Sequence, residues 1–292
     1  MIPILDTHLH LLYQQQFTYG WCEDFPVLQS DFKIEDYQNL IDSKDLDIAG
    51  SIFMEVDVDE NEISKEAAFF TDLVKKSDNS LVGVIAACRP ENMNFHELLE
   101  STMTSAVCGL RRVLHVMPDE VSRSSLFREN IRSLVNHKLP FDICIGESQH
   151  ETGYELIKSC PDNQFVLDHC GNPTISHENF HHWSQSLKKI ASLPNVVCKI
   201  SGIIASLPES SEVNDLNPWI DTTIESFGTD RVMIGSDWPV YNLSRDLPTW
   251  IKAVRHYFDG FSESEQQCIF HKNAETIYFY ASGSSGKEFN KS

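Results

Sequence analysis

Apolar residues gather in eight short runs along the chain: 2–9, 48–56, 81–88, 107–115, 141–145, 164–170, 195–201 and 231–236. Each is too short for a helix and rich in β-branched or aromatic residues, so each predicts a buried strand. Polar stretches with helical spacing separate them. In 63–76, Ala67, Phe70, Leu73 and Val74 fall on one stripe. In 127–137 the stripe is Ile131, Leu134 and Val135, and in 180–193 it is Trp183, Leu187 and Ile190. A closing helix is expected over 263–280, with Ile269, Ala274, Ile277 and Tyr278 on its apolar side. Eight strands alternating with helices predict a parallel α/β sheet, closed as a single (β/α)8 TIM barrel. An open doubly wound sheet would usually carry a glycine-rich phosphate loop after an early strand, and the chain has no such motif.

The barrel is expected to occupy 1–280, and the polar stretch 281–292 reads as a flexible tail. Segment 11–32 carries Tyr13, Phe17, Tyr19, Trp21, Phe25 and Phe32. It follows the first strand, so it should overlie the barrel mouth.

Composition narrows the function. The 292 residues hold 23 Lys and Arg against 43 Asp and Glu, a net charge of -20. Such a surface repels phosphate backbones and anionic lipid, so the expected partner is a small molecule, not nucleic acid or membrane. An anionic substrate would need local arginine or lysine to override the global field. The eight cysteines form no C-x-x-C pair and mostly lie in apolar runs. They read as free buried thiols in a reducing compartment, which with the absence of a leader or spanning segment predicts a cytoplasmic protein. The sequence carries no sign of oligomeric state.

Ionisable residues recur where strands end, the catalytic face of this fold. His8 and His10 alternate onto one face of strand one, where two imidazoles can grip one divalent ion or simply face solvent. Asp6 is expected to share that face. Asp237 follows strand eight and can ligate a metal, take a proton from water, or cap a turn. Lys199 lies within an apolar strand; it either points into the barrel toward the mouth or snorkels outward between helices. One of Arg111 and Arg112 must face the interior if strand four stays extended. Glu55 ends strand two near the mouth.

Four motifs stand together: D-x-H-x-H from Asp6, D-H-x-G-x-P from Asp168, K-x-S-G from Lys199 and G-S-D-W-P from Gly235. With them the chain resembles the amidohydrolase superfamily from residue 2 to about 280. It is most similar to the amidohydrolase-2 branch, which includes sugar lactonases and pyrone-dicarboxylate lactonase. Phe17-Thr18-Tyr19-Gly20-Trp21 resembles the lid of fuconolactonase-like enzymes, as Lys272-Asn273-Ala274 resembles their closing segment.

The resemblance implies a hydrolase of carbohydrate metabolism that opens a small lactone, a sugar acid lactone or a related carboxylated one. His8 and His10 match the metal-binding pair, His169 the strand-six histidine and Asp237 the catalytic aspartate. Strand four has no bridging lysine and strand five no histidine, which implies one divalent ion at most. Zinc is the first candidate, and some lactonases of the branch work without metal. On this reading Asp237 is the general base and, with His8 and His10, a metal ligand. His169 and Lys199 stabilise the oxyanion, Arg111 and Glu55 contact substrate, and Trp21 and Trp238 wall the pocket. A single-metal decarboxylase of aromatic or muconate-type acids ranks second, since such barrels usually place a ligand histidine on strand five. A non-catalytic binding barrel ranks third, because convergent ionisable residues at five strand ends burden a folding core.

Overall fold

Eight parallel strands lie in chain order in one sheet: β1 (Ile4–Leu9), β2 (Ile48–Met54), β3 (Leu81–Ala87), β4 (Val107–Val113), β5 (Phe141–Cys144), β6 (Phe165–Leu167), β7 (Val196–Ile200) and β8 (Val232–Ile234). Each falls inside one of the predicted runs. The structure is a computed structural model, describing residues 1–76, 80–208, 210–240 and 244–280; the expected tail lies outside the described residues. A Leu9–Trp238 bridge joins the last strand end to the first. There Asp237 N donates to the His8 carbonyl at 2.7 Å and His10 N to the Trp238 carbonyl at 2.8 Å. Helices follow the strands, so the sheet is the expected (β/α)8 barrel.

The strands are buried on both faces, which is why they read as continuous apolar runs. Leu5, Ile52, Met54, Ile85, Val166, Val197 and Met233 form a compact inner cluster. Ala274 and Tyr278 of the closing helical segment join them, so that segment plugs one end of the barrel. A larger cluster, including Phe53, Phe70, Phe141, Trp183 and Trp250, packs the strands against the surrounding helices. The helix His177–Ala191 carries the predicted stripe and starts where the Ser176 hydroxyl accepts from Asn179 N at 3.3 Å. The cysteines are free, seven of them buried. No helix among the described residues is long and apolar enough to cross a membrane.

Strand one departs from simple alternation. Asp6 pairs with Ser51 and Leu9 with Phe53, so three steps on β1 oppose two on β2. This bulge turns consecutive side chains to new faces. Leu5 joins the inner cluster, whereas Asp6 points outward, contrary to expectation. Its carboxylate accepts from Tyr37 Oη on the helix Ile34–Lys44 and from Ser236 N, each at 2.7 Å. Asp6 thereby ties β1, the first helix and the end of β8 together.

The segment after β1 docks over the β2 side of the mouth. Trp21 Nε1 donates to the Val56 carbonyl at 2.9 Å, and Thr18 N to Glu62 Oε2 at 2.7 Å. Beneath it lies Glu66, 1% exposed, on the helix Ile63–Val74, its carboxylate accepting from Val56 N at 3.3 Å. Burial, then the nearby Glu55 charge, pushes its pKa well above 4.5. A carboxyl raised on folding stabilises below its unfolded pKa and loses that contribution as pH rises through the folded value. Glu66→Gln should therefore match wild type in Tm at pH 4 and gain on it steadily toward pH 8. A Tm difference that does not vary with pH would contradict this.

Candidate active site

The site gathers at the C-terminal ends of the strands, where alternation and local breaks aim polar side chains inward. His8 and His10 leave β1 beyond its bulge, both on the inner face as expected, with their Nε2 atoms 3.2 Å apart. Gly235 makes this possible, since a Cβ there would lie 2.6 Å from His8 Cβ and 3.0 Å from Ser201 Cβ. Asp237 adopts φ +62°, a left-handed conformation uncommon for a non-glycine residue. It brings Oδ1 to 3.4 Å from His10 Nε2 and 3.7 Å from His8 Nε2. His169 also has positive φ, +54°. Its Nδ1 lies 2.9 Å from Ser201 Oγ and its Nε2 3.9 Å from Asp237 Oδ1. Gly202, at φ +67°, leaves room for the ring, because a Cβ there would stand 2.4 Å from His169 Nδ1.

Fixed neighbours set both metal-facing tautomers. The Met54 carbonyl accepts only, and it lies 3.1 Å from His10 Nδ1, which therefore carries the proton. The Arg111 guanidinium donates only, and its Nη1 lies 3.3 Å from His8 Nε2. Proton-free Nε2 atoms of both rings thus converge with a carboxylate oxygen. Ligands at about 2.0–2.1 Å from a tetrahedral ion lie about 3.3–3.4 Å from one another. The three separations bracket that spacing, so His8, His10 and Asp237 fit one divalent ion. A second triplet, His8, Asp168 and His169, shares His8. Burial holds His8 well below 6.5, against the opposing pull of Asp168, and lowers His169 likewise. Both rings are neutral at pH 7, the form that ligates a metal.

Beneath this rim runs a buried charge network. Arg111, rather than Arg112, faces the interior. Its Nε donates to Glu55 Oε1 at 2.6 Å and Nη2 to the Glu55 carbonyl at 3.1 Å. Lys199 also points into the barrel, but it is wholly buried below the mouth. Its Nζ donates to Asp142 Oδ2 at 2.5 Å and lies 3.4 Å from Asp168 Oδ1. Ser201, two residues on, is the group of that strand that reaches His169. Tyr278 Oη donates to Asp142 at 2.8 Å. Burial raises Asp168, yet Lys199 and the His8 ring together outweigh it and hold the carboxyl well below the usual range. Burial pushes Asp142 up to about 6 despite Lys199.

Three expected placements differ. Glu55 is wholly buried and engaged by Arg111 and by Asp57 N at 2.7 Å, so its carboxylate is turned to groups of the protein itself. Arg111 in turn is held by Glu55 through Nε and Nη2, with Nη1 turned toward His8 and Asp168. Trp238 is buried with its ring 5.4 Å from Phe32 and 5.5 Å from Tyr37, on the helix side of the barrel. Alternation from Met233, Gly235 and Asp237 inward sends Trp238 outward. Trp21 stays half-buried in the overlying segment. Sequence reasoning passed over Asp142, although an acidic residue inside the apolar run 141–145 carries the same signal as Lys199. It also took Tyr278 as merely apolar.

A family model described as amidohydrolase matches residues 5–280. An L-fucono-1,5-lactonase of Burkholderia multivorans is 22% identical, covering 94% of this chain and 95% of that protein. A crystal structure of a Burkholderia multivorans amidohydrolase with bound Zn superposes with a TM-score of 0.84 at 21% identity, covering 94% of this chain and 99% of that one. A probable 2-pyrone-4,6-dicarboxylic acid hydrolase of Acinetobacter baumannii, crystallised with citric acid, gives 0.72 at 16% identity, with coverages of 94% and 98%. With nearly its whole length matched by the family model, the chain belongs to the amidohydrolase family.

Proposed function

We propose that the protein hydrolyses a small, uncharged lactone of the sugar-acid type. The observation that carries this reading is the convergence of His8 Nε2, His10 Nε2 and Asp237 Oδ1 at 3.2, 3.4 and 3.7 Å. It provides a base beside a cation site on the catalytic face of the barrel. The curated L-fucono-1,5-lactonase relative supports the same class.

Asp237 takes a proton from the attacking water and returns it to the leaving alkoxide, which becomes the hydroxyl of the ring-opened acid. Ser201 can donate to His169 Nδ1, leaving an Nε2–H directed to the site. A neutral imidazole donor there stabilises the oxyanion, a contribution of about 3–4 kcal/mol for a well-placed group. When bound at His8, His10 and Asp237, a divalent ion such as zinc supplies carbonyl polarisation or a more acidic water. Arg111 and Asp168 orient His8, and Trp21 closes over the β2 side.

Charge pairing favours the uncharged lactone over a carboxylated one. Arg111 is paired with Glu55, and Lys199 with Asp142. At the neighbouring strand ends Arg89 is paired with Asp57, and Arg112 with Glu91. Arg245, after β8, donates to the Ser244 and Ser211 carbonyls. Each cation is matched by groups of the protein itself. A ring-opened acid gains a negative charge on formation, and the acidic surroundings favour its release.

Asp237→Asn should lower kcat at least about 100-fold with the fold intact. Circular dichroism and a pH-indicator assay check this, and a variant within threefold of wild type removes Asp237 from the mechanism. Against a panel of lactones, neutral sugar lactones should exceed carboxylated rings in kcat/KM by at least about tenfold; the reverse order overturns the charge argument. Metal titration should show one tight zinc equivalent, lost in His10→Ala. Two tight equivalents would refute the ligand set.

A further inference from the structure

Lys199 sits where a barrel interior is ordinarily filled with apolar side chains, and it does not reach the mouth. Its surroundings are wholly internal. Asp142 of β5 accepts from Nζ, Tyr278 of the closing segment donates to Asp142, and the Tyr278 ring centroid lies 5.4 Å from Nζ. On the other side Nζ lies 3.4 Å from Asp168 Oδ1. That same oxygen lies 3.4 Å from His8 Nδ1, while Arg111 Nη1 lies 3.7 Å from Oδ2. Asp168 is fully buried, and its oxygens meet these three groups at 3.4–3.7 Å. It is held by charge, between Lys199, Arg111 and the His8 ring. A run of contacts therefore leads from the plugged end of the barrel to the ligand pair at its mouth.

We infer that Lys199, braced by Asp142 and Tyr278, is a positioning residue for His8. It holds the Asp168 carboxylate against His8 Nδ1. A carboxylate accepts only, so Nδ1 keeps the proton and the Nε2 lone pair is presented to the site. Arg111, facing Nε2 as a donor at 3.3 Å, favours the same tautomer from the opposite side without fixing it alone. Apolar residues of similar volume commonly serve a core as well as a buried network of this kind. Its rate consequence rests on the hydrolytic reading proposed above; its effect on His8 does not.

The experiment uses the full chain labelled with 15N-histidine, free of metal, and reads the His8 ring nitrogens by two-bond 1H–15N correlation. Lys199→Met alone would leave Asp142 and Asp168 facing each other, so the principal variant is Lys199→Met with Asp142→Asn. Wild type should show His8 as the Nδ1–H tautomer, and the double variant a mixture of tautomers. Zinc affinity should fall at least about tenfold, within the range for loss of a group that orients a metal ligand. With a lactone substrate, kcat should fall at least about tenfold and KM change less than threefold. A double variant that keeps one His8 tautomer and zinc affinity within twofold overturns the proposal, whatever its Tm. Altered tautomers without turnover of any lactone would support the positioning role and count against the lactonase reading alone.

Discussion

Two buried cations, Arg111 and Lys199, hold three buried carboxylates inside the barrel: Glu55, Asp142 and Asp168. Removing one partner of such a set typically costs about 3–5 kcal/mol, because it leaves a charge without compensation. The set also carries one more negative than positive charge, and Asp237 adds another. The polar interior is thus biased toward a positive occupant at its open end. The imidazoles do not offset that bias, since burial keeps His8 and His169 neutral. The mouth geometry follows from this arrangement, as Glu55 fixes Arg111, and Arg111 and Asp168 fix the His8 ring.

The barrel was legible because its strands are buried on both faces and so appear as apolar runs of the right length and number. The mouth was legible because charge is costly within such runs, and Lys199 and Arg111 stood out for that reason. Finer placement was lost where the backbone breaks alternation. The bulge in β1 sends Asp6 outward while His8 and His10 stay inside, although period-two spacing sets all three on one face. Asp237 and His169 depend on left-handed backbone at strand ends. Asp and His tolerate that backbone better than most residues, but spacing does not single out these two, though Gly202 and Gly235 mark the close approaches that accommodate the neighbouring rings.

Other differences concern pairing rather than direction. Arg111 faces inward as the strand pattern requires, but its partner comes from β2, and no local pattern reveals that Glu55 holds it. Lys199 likewise points inward, yet its partners belong to β5, β6 and the closing segment. Long-range partners decide whether a buried cation meets a substrate or another side chain. Spacing within one strand carries information on orientation alone.

The His8 Nε2 lone pair joins these constraints. It faces His10 and Asp237, which favour an ion there, and it faces the Arg111 guanidinium, which can satisfy it as a donor. A dication and a guanidinium close together repel, and in a buried site that repulsion is poorly screened. Glu55 reduces it by drawing the guanidinium charge toward β2 through Nε and Nη2. On the proposed reading, ion affinity is set by a competition between the carboxylates of the network and Arg111 as well as by His8, His10 and Asp237. Strengthening the Arg111–Glu55 pair favours the ion, and weakening it frees a donor for the same nitrogen.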